Sequence, residues 1–429
     1  MEQIRPWPQT PLPRAMPAPV SAARKLEFAL ACAVVFLAPM NVLKLPAFYF
    51  TLSDAFACLC LATMALNGTI RLKPLGPGTA FWVFGLVLMI GALLASSLLA
   101  GAVDRGLILS LQYLFAYFLL PIVLLARPWD QTGTLMKVFV ASMTVMVIHG
   151  IYVVNIVGET NTIFVSGSGR LQGFVERENE CGALLALTAP MVLSMTAMRL
   201  MKTVVAIPVL ILLGYGVMLT GSNTALYGML FGLGVFSLFT LTPKSILIGA
   251  ASLAAMWSSL AIPAVRDALP AVFRKRVLIG LESGDLSEAG TFADRMMLNE
   301  EAIRLGGEAL LLGHGADQYR EISAYGNPVH NLYLLVWNEG GLPAMIGFLI
   351  MLSGAAIPVL MARRRREGRH AAVCGFSAVT LFAILINAAP HVYGRFWAVP
   401  VLLSIAPAVA FLNFGPPKPR HPSIGGKPR

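Results

Sequence analysis

Along most of the chain, apolar residues come in blocks of about twenty, separated by charged or Gly/Pro-rich breaks. One bilayer crossing by a helix needs roughly 20 mainly apolar residues, so each block reads as a span. Twelve such windows lie near residues 26–43, 52–68, 79–99, 107–126, 134–157, 181–198, 203–219, 224–241, 245–262, 341–362, 371–388 and 396–414. The pattern predicts an all-α, polytopic integral membrane protein with about twelve transmembrane helices and one long loop that contains short helices. The expected organisation is a tail at 1–25, spans one to nine at 26–262, the long loop at 263–330, a His-Asn motif helix with spans ten to twelve at 331–414, and a second tail at 415–429.

The first tail holds Pro6, Pro8, Pro11, Pro13, Pro17 and Pro19, too many for a helix and too polar a setting for a core, so disorder is expected there. A cleaved signal peptide is not expected, because the first apolar run is nearly span length and leads into further spans. Within the long loop, TFADRMMLNEEAIRLGG has the marks of a short helix. Thr291 with Asp294 approximates a capping box, and Gly306-Gly307 is the expected stop. Arg295 falls in the first turn, where the helix dipole disfavours a cation. Either its position serves something beyond the helix, or it bonds locally to Asp294 or Asn299.

Composition sharpens the class. The chain is 57% hydrophobic and 12% charged, with mean hydropathy +0.74, whereas soluble domains run at about 25% charged. Its five cysteines lie in or beside spans and form no CxxC pair, so neither a disulfide framework nor a metal site is implied. The net charge is +11. With the N-terminus inside, the inner segments carry most of the Lys and Arg residues, including Arg71, Lys73, Arg127, Arg199, Lys202 and Arg363 to Arg366, as the positive-inside rule requires. The Arg363 to Arg366 run then reads as a topology anchor rather than a nucleic-acid contact. Loops after odd-numbered spans face outward, which puts Arg170, Arg177, Arg295, His330 and Arg395 on one side of the membrane.

His330 opens the stretch HNLYLLVWNEGGL, beside Asn331, which can cap the following helix. His314 and His391 adjoin glycine or proline and read as turn chemistry. The chain has no GxxxxGK[ST] loop, HExxH, GxSxG elbow or DxD pair. Gly228 and Gly232 form a GxxxG step that reads as helix packing. Gln112, His149, Asn155 and Asn387, in or near spans, are expected to bond neighbouring helices.

VHNLYLLVWNEGGLPA resembles a motif of the O-antigen ligase and polymerase superfamily of bacterial envelope glycan assembly: His330-Asn331, nine intervening residues, then a Gly-rich step at Gly341. Arg295 resembles that family's loop arginine ahead of a G-x-G turn, and SGRLQGFVERENECGALLAL, with Arg170, Gly173 and Asn179, resembles its segment leading into the sixth span. The resemblance covers about residues 165 to 415. This chain departs from the pattern at Ala344, where a glycine is usual, at Ser222-Asn223, where many members have Ser-Arg, and at Glu178, where a proline is frequent.

The resemblance implies glycan transfer from a polyprenyl-diphosphate lipid to a sugar hydroxyl at the periplasmic face of a bacterial inner membrane, without a cofactor. The residue types suit that chemistry. Guanidinium forks stabilise charge developing on a diphosphate, so no metal is needed. An imidazole with near-neutral pKa activates a weakly nucleophilic hydroxyl. His330 is the candidate general base, with Arg295 and Arg170 as diphosphate clamps. Arg177, Arg274, Lys275, Arg276 and Arg395 are further candidates for phosphate contact, and Asn331 and Glu339 either orient the imidazole or simply cap and solvate their helix. The expected partners are a lipid-linked glycan donor, a sugar-hydroxyl acceptor, the bilayer and other polysaccharide-assembly proteins, with no nucleic acid.

The long loop carries seven basic against ten acidic residues, a net charge of minus three. Such a loop repels a phosphate-rich lipid A-core acceptor within a Debye length of about 8 Å. That favours a repeat-unit polymerase over an O-antigen ligase. A non-catalytic transporter or flippase of a lipid-linked or anionic substrate, and a structural scaffold, are the alternatives from other classes.

Overall fold

The computed structural model describes residues 22–45, 49–243, 246–247, 249–251, 254, 258, 261–279 and 292–416. Among them, nine helices are long and apolar enough to cross a membrane. The strands among these residues form one antiparallel ribbon pairing Lys44 with Thr51 and Leu45 with Phe50. The fold is therefore that of an all-α polytopic membrane protein. In chain order the elements are α1 (Ala22–Leu37), β1 (Lys44–Leu45), β2 (Phe50–Thr51), α2 (Leu52–Leu66) and α3 (Thr79–Leu99). Then come α4 (Val103–Leu114), which runs through a π-helical turn at Phe115–Leu119 and on to Leu124, α5 (Trp129–Ile151), α6 (Glu178–Ala197), α7 (Thr203–Thr220) and α8 (Asn223–Thr240). The remainder is α9 (Phe292–Glu308), α10 (Leu332–Arg363), α11 (Arg369–Leu385) and α12 (Arg395–Phe414).

Each expected window coincides with one of these helices except 245–262, half of which lies outside the described residues. Most of both tails, residues 280–290 and the Thr291 cap lie outside them too. α6 and α12 are the most enclosed, with 83% and 89% of their apolar windows buried, so they form the centre of the bundle. Gly228 and Gly232 of α8 face Leu385 and Leu381 of α11, as packing positions should.

α10 joins the motif-helix segment and the tenth window, 341–362, in one stretch. It packs along α3 through glycines set seven residues apart: a Cβ on Gly85 would lie 2.3 Å from the Met351 nitrogen, one on Gly347 2.5 Å from the Met89 nitrogen, and one on Gly354 2.6 Å from the Trp82 nitrogen. Only glycine lets the two backbones approach this closely. At Gly341 α10 breaks, with φ 74° and ψ 179°, a conformation essentially reserved for glycine. The break frees the Asn338 carbonyl and the Leu342 N–H, which an all-helical α10 would have paired with each other, while Pro343, having no N–H, leaves the Glu339 carbonyl open in any case; the chain at 310–315 takes all three up. The N–H of His314 donates to Asn338 O (2.7 Å), that of Gly315 to Glu339 O (2.9 Å), and Leu342 N–H donates to Leu310 O (2.8 Å). Gly313 fits against this break, where a Cβ would meet the Glu339 carbonyl carbon at 2.4 Å.

The bundle has two chemically distinct ends. At one end Arg127 pairs with Glu27 (3.4 Å), Arg369 donates to Phe239 O (3.0 Å), and Arg71 and Arg363 lie over the rings of Phe414 and Phe239. Arg71, Arg127 and Arg363 are among the residues read above as lying on the inner side. Arg170, Arg295 and His330 sit at the opposite end, where α6, α8, α10 and α12 begin and α3 and α7 finish.

The glycine geometry gives a paired expectation. Gly341→Ala places a Cβ 2.4 Å from Leu311 O at a positive φ, costing about 1–3 kcal/mol in backbone strain alone. Gly91→Ala in α3 meets nothing within 4 Å and is neutral or slightly stabilising. Thermal denaturation of the purified variants in detergent should show a lowered midpoint for the first only.

Candidate functional site

The site is assembled from four segments. Arg170 follows the Gly169 turn and is 7% exposed. Its Nε donates to Thr220 O at the end of α7 (2.7 Å), its Nη2 donates to Asn179 Oδ1 (2.8 Å), and Glu178 lies 3.8 Å from its Nη1. Glu178, the departure from the expected proline, is thus a partial counter-ion to Arg170.

The basic triplet 274–276 lies on a π-helical turn, Arg274–Leu278, that follows the short helix Ala271–Phe273. Phe273, Val277 and Leu278 bury themselves against Met218 and Leu226, fastening the turn to α7 and α8. Gly221 makes room, since a Cβ there would lie 2.6 Å from Val272. Asn223 Nδ2 donates to Arg276 O (3.3 Å), and Ser222 caps α8. Where many relatives carry an arginine, this chain therefore has an asparagine that holds Arg276. The three basic residues diverge: Arg276 turns toward Arg170 and Arg295, Lys275 is exposed, and Arg274 pairs with Asp267 at 3.6 Å.

α9 carries Arg295. Its Leu298, Ala302 and Leu305 pack against Tyr319, Val329 and Leu335. The buried Glu301 accepts from Ser323 Oγ (2.6 Å), Ala324 N (2.7 Å) and Tyr319 Oη (3.3 Å). The expected stop at Gly306-Gly307 is overturned, because α9 runs through both to Glu308. Gly306 instead lies under the Trp337 ring, 3.0 Å from where its Cβ would be, so the glycine serves packing.

His330 lies just before α10, and Asn331 caps that helix by accepting from Tyr333 N (3.1 Å) and Leu334 N (3.3 Å). Burial, then the charges of Arg295 and Arg177, hold the His330 imidazole below its ordinary pKa, so the neutral base is the resting form near pH 7. Burial also lowers the proton affinity of Arg170, which Glu178 opposes and Arg276 and Arg295 add to; Arg295 is lowered by burial and by Arg276. The guanidiniums stay charged, so three like charges converge. The Nε groups of Arg276 and Arg295 are buried without a hydrogen-bond partner.

Three further assignments are placed as follows. Arg177 lines both a cavity of about 310 Å³, shared with His391, Tyr393 and Arg320, and one of about 170 Å³, shared with His330, Asn179 and Trp397. Glu339 is 4% exposed beside the helix break and takes a hydrogen bond from the Asp317 backbone. Arg395 is 3% exposed and ion-paired with Asp54, bonds Gln112 Oε1 (2.6 Å) and Tyr393 O (3.0 Å), and lies over the Phe115 ring. Its guanidinium is engaged inside the bundle. Gln112 and Asn155 do bond across helices, the latter to Tyr215 (2.8 Å), but Asn387 bonds Ala383 and Ile384 of its own stretch.

The residue that sequence reasoning set aside is His391. Its imidazole is pushed down to about 4 by burial and by Arg177, Arg320 and His330, so it stands in the same electrostatic field as His330. The visible clue was its loop, PHVYGR, which lies on the same side as the others.

Residues 208–349 match a family model described as O-antigen ligase. The match supports the O-antigen ligase and polymerase superfamily. The matched segment contains Arg274 to Arg276, Arg295 and His330, while Arg170, Arg177 and His391 join the site from outside it. Comparison with curated proteins found no match. The match supports a membrane enzyme of the ligase or polymerase type.

The His391 environment predicts an acid limb in stability. Its folded pKa is depressed, so between pH 6.5 and about 4 the unfolded chain binds a proton that the folded chain refuses. Stability should fall as pH drops through that window. His391→Gln should flatten the fall, as read by thermal midpoints at stepped pH.

Proposed function

We propose that this chain joins polyprenyl-diphosphate-linked oligosaccharide repeats into a surface or exopolysaccharide at the periplasmic face of a bacterial inner membrane, without a metal. The observation that carries the reading is the convergence of Arg170, Arg276 and Arg295, two of them with buried unpartnered N–H donors, beside an imidazole held neutral. Packed like charges with unused donors suit a multiply charged anion, and a diphosphate has that chemistry.

In the proposed step the acceptor hydroxyl oxygen attacks the anomeric carbon of the donor glycan. The new C–O bond forms as the bond from that carbon to the diphosphate oxygen breaks. The electron pair leaves with the diphosphate, onto the guanidiniums, and the hydroxyl proton passes to His330. A direct displacement of this kind inverts the anomeric centre. Arg295 and Arg177 lower the basicity of His330, yet the same charges keep it deprotonated until substrate anion enters and relieves the field. The net acidic loop at 263–330 supports a polymerase over a ligase with a lipid A-core acceptor.

Deleting the gene should leave single repeats on lipid and no long glycan. Long chains stranded on polyprenyl diphosphate would instead mean a ligase. His330→Ala should abolish long glycan while the protein still inserts, and normal glycan from a well-expressed variant would sink the assignment. Arg295→Lys keeps the charge but loses the planar fork and should lose most activity, on the order of a 100-fold drop. In a reconstituted assay, activity should fall toward acid pH on a limb set by His330 below the ordinary imidazole range, and Arg177→Gln should move that limb upward by removing a cation that depresses His330.

A further inference from the structure

Arg177 also lines the 310 Å³ cavity, whose walls include Tyr49, Arg105, Gln112, Asp317, Arg320 and Tyr393. Flat rings with guanidinium, amide and carboxylate groups are the equipment of a saccharide site: the rings cover sugar faces and the planar groups bond pairs of hydroxyls. Arg105 and Arg320 share Asp317, at 3.6 and 3.0 Å. Together with Arg177 they leave the cavity an excess of positive charge.

α4 links this cavity to the lipid. Arg105, Ile108, Leu109 and Gln112 recur at helical spacing and line it. Ile108 and Gln112 also line a second space of about 200 Å³, whose other walls include Phe50, Leu111, Phe115 and Leu119. That space is an apolar groove on the outside of the bundle, with Leu111 61% exposed on a membrane-spanning helix. From the end of the bundle inward, the stripe runs from cation to apolar track. Arg395, already paired with Asp54, stacks beneath it on Phe115. The shape is complementary to an amphiphile with an anionic, sugar-bearing head and a long apolar chain.

We infer that the α4 groove and the Arg105 cavity together form a second lipid-substrate site, which seats a short isoprenoid-diphosphate-linked oligosaccharide as the acceptor. The inference rests on the polymerase reading and deepens it. The donor diphosphate takes the Arg170, Arg276 and Arg295 side, the acceptor takes the α4 side, and Arg177 with His330 and His391 lies between them. Because groove and cavity share two lining residues, the tail and the reacting sugar stand close together. That suits a single repeat and not a long core oligosaccharide remote from its lipid.

The test uses the full-length protein in nanodiscs with a benzophenone-bearing farnesyl diphosphate, and mass spectrometry to map the cross-linked peptides. Two labelled regions are expected: residues 105–119, and the peptides holding Arg276 and Arg295. Unlabelled undecaprenyl diphosphate should compete at both, and excess phosphatidylglycerol at neither. Leu111→Trp, a lipid-facing change that fills the groove, should cut labelling at 105–119 at least fivefold and leave the other region unchanged. Arg105→Gln should weaken the same region. Labelling at the Arg276 and Arg295 peptides alone, or equal competition by phosphatidylglycerol at 105–119, would overturn the acceptor site and spare the polymerase reading. Absence of label from both regions would count against both.

Discussion

The end of the bundle that carries the candidate site depends on one backbone fact, the break of α10 at Gly341. An unbroken helix would pair the Asn338 carbonyl with the Leu342 N–H, while the Glu339 carbonyl, four residues before Pro343, would lack a donor. Because Gly341 adopts a conformation closed to other residues, those carbonyls are exposed to the chain at 310–315, which binds them through His314 and Gly315. The same interlock sets the height of α9, whose Ala302 carbonyl accepts from Asn338. Arg295, one turn before Leu298, is thereby carried over His330. A local glycine conformation thus bears on the positions of a guanidinium and an imidazole well separated in sequence.

On that scaffold the chain uses its buried arginines in two ways. Arg395 has a full complement: a carboxylate, an amide, a carbonyl and an aromatic face. Breaking such a buried pair typically costs about 3–5 kcal/mol, which marks it as part of the fold. Arg276 and Arg295 have unmatched donors and like-charged neighbours. Charges left in that condition destabilise the empty protein, and only an arriving anion relieves them. The contrast separates Arg395 from Arg276 and Arg295 more sharply than exposure does.

The helices were legible because each span must bury about twenty residues in hydrocarbon, and that demand writes itself into local composition. Asn331 was legible as a cap for a similar reason, since capping is local chemistry within three residues. Gly306-Gly307 misled because a glycine pair marks a helix stop and a close approach equally well, and here the ring of Trp337 decided between them. Arg395 could not be told from the other outward arginines, because its partner Asp54 lies at the start of α2. His391 was read as turn chemistry because it adjoins Pro390 in sequence. Its neighbours in space, Arg177, Arg320 and His330, come from two other segments.

Arg177 draws these threads together. It is the N-cap residue of α6, with extended backbone and no side-chain capping bond, so its guanidinium is not held by the helix end. It lines both the His330 cavity and the cavity reached from α4. It depresses the proton affinity of His330 and of His391. A group so placed feels an anion arriving on either side. Substrate entering one cavity would weaken the field on the histidine of the other, raising its basicity at the moment a proton must be taken. The electrostatics thus give the proposed chemistry an order in which His330 becomes an effective base only once an anion lies beside Arg177, so an empty site would be a poor catalyst for the wasteful attack of water.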